Sequence, residues 1–117
     1  MTATSHPLSA DQFCLVMTSV GDEPQAKQIA QLLLKDRLAA CIQILPIQSH
    51  YIWKDELQED QEYLLLIKAR QSDWQAIEAA IRQIHSYEIA EILKLDLAAG
   101  HAPYLAWMQH VTQRQTL

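Results

Sequence analysis

A chain of 117 residues can bury one real core but not two, so a single domain is expected. Half of the residues are hydrophobic and 20% are charged, which excludes an intrinsically disordered chain. The formal net charge of -5 and the absence of any basic run argue against a nucleic-acid partner, because phosphate binding draws on clustered Lys and Arg.

Residues 1–11 are small, polar and interrupted by Pro7, and they read as a loose arm ahead of a domain over 12–117. No cationic segment leads into an apolar stretch, so no signal peptide is expected. No apolar run approaches the roughly 20 residues that cross a bilayer, so no membrane partner is expected either. Cys14 and Cys41 lack CxxC spacing and read as reduced core thiols of a cytoplasmic protein.

Gln12 to Ser19 predicts a short buried strand followed by Val-Gly-Asp. Asp22 offers an N-cap with Pro24 in the first turn and Gln25 three residues on, and Ala26, Ile29, Ala30, Leu33 and Leu34 share one helical face. Ala39 to Trp53 is again strand-like. Pro46 within it, which cannot donate to a ladder, predicts a bulge or bend. The polar stretch 54–60 makes a turn and starts a strand running back through Tyr63 to Ile67, apolar on both parities. Ser72 and Gln75 suggest a second capping box, before a helix with Trp74, Ile77, Ile81 and Ile84 on one stripe. Tyr87 to Leu97 alternates as a fourth strand, and Pro103 opens a last helix with Tyr104, Trp107, Met108 and Val111 aligned.

The predicted order is βαββαβ plus a terminal helix: an α+β, ferredoxin-like antiparallel sheet with two helices on one face. Those helices cover one sheet face only, whereas the third strand carries leucines on both. Unless the terminal helix covers the rest, the chain must associate with copies of itself.

Glu91 is the sharpest local signal. Alternation places it on a face with Tyr87, Ile89, Leu93 and Leu95, where a carboxylate must be paired, protonated or ligating. It either forms an ion pair at the sheet rim or marks a ligand or interface site. His85, just before that strand, suits a helix C-terminus or a metal site completed by Glu91. No catalytic constellation is found: two glycines exclude a phosphate-cradling loop, no GxSxG elbow exists, and neither cysteine has a nearby base.

The stretches Arg37 to Ile42, Tyr51 to Lys54, Leu66 to Lys68, His85 to Ile92 and Pro103 to Trp107, in this order, together resemble the CutA divalent-cation tolerance family. The resemblance spans Gln12 to Met108. It implies a ferredoxin-like homotrimer, a role in divalent-cation tolerance rather than catalysis, and copper binding as in some members. It places Trp53, Lys68, Tyr87 and Glu91 near an inter-subunit cleft for a metal ion or small ligand, and matches His85 and Glu91 to metal ligands. The family's thiolate position falls on Thr18, a poorer ligand for a soft ion. A different class of function, an interaction module whose assembly scaffolds or signals to a protein partner without a metal, fits the same residues.

Overall fold

A computed structural model describes residues 8–114. Of the expected arm, residues 1–7 lie outside the described residues. The remainder is not loose: Ala10–Gln12 forms a 3-10 turn, and Ala10 packs with Phe13, Leu105 and Met108.

The elements run β1 (Phe13–Val20), α1 (Glu23–Lys35), β2 (Cys41–Trp53), β3 (Glu56–Arg70), α2 (Trp74–Ile84), β4 (Ile92–Asp96) and α3 (Ala102–Val111). The four strands form one antiparallel sheet in the order β2-β3-β1-β4, the ferredoxin-like arrangement.

Alternation decides which side chains meet the helices. Cys14, Val16, Thr18 and Val20 of β1 and Leu65, Ile67 and Ala69 of β3 are fully buried on one face. Ala26, Ile29 and Leu33 of α1 and Ile77 and Ile81 of α2 close over them. Each large aliphatic side chain so removed from water contributes about 1.5–3 kcal/mol. Burial also pushes the Cys14 thiol up to about 11, so it stays protonated and unreactive at neutral pH.

The Asp22 side chain accepts from Gln25 N–H at 2.8 Å, as an N-cap should. Gln25 does not reach back to complete a box. Its amide donates to the Ile84 carbonyl at 2.9 Å and accepts from Ser86 Oγ at 3.0 Å, tying the start of α1 to the end of α2. No capping box forms at Ser72, which lies in a 3-10 turn; α2 begins at Trp74.

Pro46 makes no bulge. The β2–β3 register runs unbroken from Cys41↔Lys68 to Trp53↔Glu56, with Pro46 opposite Tyr63. Because β2 is an edge strand, a residue lacking N–H can turn that side to solvent. Lys54 and Asp55 close the hairpin with φ of 51° and 64°, the two left-handed residues of a type I′ turn. The outer part of the hairpin is exposed, and the molecule extends 62 Å along its longest axis.

The other sheet face is largely open. α3 covers one end of it, burying Leu105 and Met108 against Phe13. Arg70 fixes that end by donating to Thr112 Oγ1 at 2.7 Å and to the Gln109 carbonyl at 2.6 Å. The expected helix stripe is thus rotated: Tyr104 and Trp107 lean on each other at 5.4 Å and remain exposed. Among the described residues, no helix is long and apolar enough to cross a membrane.

Candidate functional site

Where β1 leaves the sheet, at Gly21, the chain from α2 returns beneath it. His85 caps α2 and receives the Tyr87 N–H on Nδ1 at 3.1 Å, while Nε2 donates to the Ser19 carbonyl at 2.8 Å. The ring therefore carries its proton on Nε2, and both nitrogens are engaged. This local bond turns the backbone, so residues 87–91 are irregular and β4 begins only at Ile92, five residues later than the alternation predicts.

The turn drives the Tyr87 side chain under Gly21, where a Cβ would stand 3.0 Å from the phenol oxygen. Tyr87 Oη then donates to Glu62 Oε2 at 2.8 Å. Glu62 is only 6% exposed, although it is a carboxylate on the open sheet face beside Leu64 and Leu66. Burial, then the Glu62 hydrogen bond, pushes the Tyr87 phenol well above its ordinary value, so Tyr87 stays a donor.

These groups line a cleft of about 620 Å³ between the hairpin arm and the 86–91 segment, with Tyr51, Trp53, Tyr87, Glu62 and Glu91 on its walls. Tyr51 in turn donates to the Asp60 carboxylate on the neighbouring strand.

Tyr87→Phe removes the one donor to Glu62 and is expected to cost about 1–3 kcal/mol in urea unfolding at neutral pH. The phenol holds its proton more tightly in the folded chain than in the unfolded one. Its stabilisation is therefore complete below about pH 10 and declines as the pH rises beyond that value. The gap between wild type and Tyr87→Phe should narrow over the same range.

Three of the four residues placed at a cleft by family resemblance, Trp53, Tyr87 and Glu91, come together in one chain. Lys68 does not join them. It lies at the far end of the open face, its ammonium 3.3 Å from Tyr104 Oη and 5.4 Å from that ring's centre. Glu91 lines the cleft but is exposed and precedes β4, so it is not held on a strand face with Tyr87 and Ile89. Glu62 was missed. The signal that singled out Glu91, an acid in register with apolar neighbours, was present at Glu62 too.

The donors do not fit a soft metal ion. Thr18 faces the helices, on the opposite side of the sheet from Glu91, and its Oγ1 is buried without a hydrogen-bond partner. His85 has no free nitrogen, and among the described residues no group of three His, Cys, Asp or Glu could hold a metal. Thr18→Val, which deletes the unpartnered hydroxyl, is expected to stabilise the fold by about 1 kcal/mol, read as a raised urea midpoint.

Fold and cleft together define a ferredoxin-like α+β domain with one largely open sheet face and a cleft at its rim. The chain belongs to the CutA1 divalent ion tolerance protein family, whose model matches residues 14–111. Protein CutA of Mus musculus is 41% identical over 93 residues, which cover 79% of this chain and 52% of that protein. The chain thus spans about half the length of the mammalian relatives it matches. The divalent-cation tolerance protein CutA of Thermus thermophilus is 37% identical over 99 residues, covering 84% of this chain and 96% of that one. The crystal structure of CutA1 from Oryza sativa superposes with a TM-score of 0.83 at 32% identity, covering 88% of this chain and 95% of that one. These relatives are named as CutA or tolerance proteins, not as enzymes.

Proposed function

We propose that the chain works as a homotrimer serving divalent-cation tolerance, as a binding module whose clefts lie at the junctions between copies. The observation that supports this reading most is the open sheet face. Leu93 and Leu95 are 54% and 43% exposed, beside Leu45, Leu64 and Leu66 on the same side. A contiguous apolar face of this kind marks association, and covering it contributes up to about 1.5–3 kcal/mol for each side chain. Three copies are what family resemblance implies, and within one chain Lys68 stands apart from the cleft of Trp53, Tyr87 and Glu91, beside Tyr104. Nothing in this reading passes through copper at His85 and Glu91.

Cells that lack their own family member provide the test. The wild-type chain should restore growth under excess divalent cation, and a variant that cannot assemble, Leu95→Glu, should not. Rescue by that variant as a monomer, or no rescue by the wild type, would overturn the reading.

The interaction-module reading is favoured by Ile52 and Leu57, 69% and 87% exposed as a cross-strand pair at the hairpin tip. Under it, replacing both by Ser leaves the assembly mass unchanged. If the tip grips a neighbouring copy instead, the mass falls.

A further inference from the structure

We propose that the rim cleft binds a small alkylammonium cation, seated between the Glu62 carboxylate and the rings of Tyr51, Trp53 and Tyr87. This names the ligand class of the cleft invoked above and rests on that cleft, not on the number of copies.

The sign of the charge follows from the lining. Within one chain Glu62, Glu88 and Glu91 contribute to the walls, and among the described residues no Lys or Arg does. Glu62 is the informative one. Nearly buried, it has a single neutral donor, the Tyr87 phenol on Oε2, and among the described residues no cation forms a salt bridge with it. A desolvated carboxylate with so little compensation attracts a positive partner. Among the described residues no donor hydrogen-bonds its Oε1, and Glu62 lines the cleft.

The rings select the kind of cation. Tyr and Trp faces attract diffuse organic cations through the ring quadrupole, most strongly where water is thinned out. Trp53 already presents itself this way, with the Lys54 ammonium 6.0 Å from its ring centre. A soft ion wants nitrogen or sulfur, yet no His or Cys lines the cleft, and among the described residues no group of three His, Cys, Asp or Glu is placed to hold a metal. An anion would meet three carboxylates and no cationic side chain of the same chain. The volume of about 620 Å³ lies within the range of small-molecule sites.

Calorimetric titration with tetramethylammonium and butylammonium chlorides, against tert-butanol and n-butanol at matched ionic strength, tests the proposal. Wild-type protein should bind either cation at one site per chain and neither alcohol. Glu62→Gln keeps an acceptor for Tyr87 and should weaken binding about tenfold or more; Trp53→Leu, at a partly exposed position, should weaken it roughly 3–30-fold. Circular dichroism shows whether the variants are folded, and sedimentation of the same samples gives the copy number. A folded, assembled wild type that binds no cation would overturn the proposal, as would equal binding of the alcohols or indifference to both substitutions. A folded monomer that still binds the cations supports it and overturns the assembly reading alone.

Discussion

Leu95→Glu should turn the assembly into a folded monomer, with the sedimenting mass falling to that of one chain. Leu95 pairs with Leu15 on β1 and faces the open side of the sheet, where it is 43% exposed. On an isolated chain, a carboxylate there would meet water and cost little, within about 0.5 kcal/mol. Packed against a neighbour, it would lose the apolar contact and bury an unpaired charge, about 3–5 kcal/mol at each interface. In the proposed trimer three copies repeat the penalty, so dissociation should be complete at micromolar concentration. An unchanged mass would mean that this face meets water in the native protein.

The second large effect separates the two faces of β3. Leu65 is fully buried beneath α1 and α2, and Leu65→Ala should cost about 2–5 kcal/mol at every protein concentration. Leu66, one residue on, points to the opposite side and is half-buried within a single chain. If neighbouring copies cover it, Leu66→Ala should cost nearly as much, and its midpoint should depend on protein concentration because assembly and folding are linked. If the chain works alone, Leu66→Ala should cost well under half as much and show no such dependence. Urea unfolding of both variants at two protein concentrations distinguishes these outcomes.

Much of this architecture is legible in the sequence because period and position agree. The apolar positions of α2, Trp74, Ile77, Ile81 and Ile84, all join or pack against the core between helices and sheet. Leucines on both parities of β3 announced a sheet that needs cover on two sides, and α3 supplies only one end of it. Asp22 announced the start of α1 because a short acceptor before Pro24 has few other uses.

The misreadings share a cause: an interaction distant in sequence, or one made by a single atom, outweighed the local pattern. Alternation through Tyr87, Ile89 and Glu91 predicted strand, but His85 Nδ1 captures the Tyr87 N–H and turns the chain. Pro46 suggested a bulge or bend, and the unbroken register excludes the bulge, because an edge strand needs no donor on its outer side. The I′ turn at Lys54 and Asp55 lacks the usual Asn-Gly signature, so the hairpin register could not be read from it. Glu62 went unnoticed because its neighbours Glu59, Asp60 and Gln61 make the segment look like a solvated acidic stretch. Its hydrogen-bond donor, Tyr87, lies 25 residues away. The cleft residues lie up to 72 positions apart, from Ser19 to Glu91, which no local pattern announces.

Sedimentation equilibrium of the untagged wild-type chain at micromolar concentration tests the central claim most directly. Three times the mass of one chain is the predicted result. A stable single-chain mass at that dilution would contradict it, since the leucines of the open face would then be at rest in water.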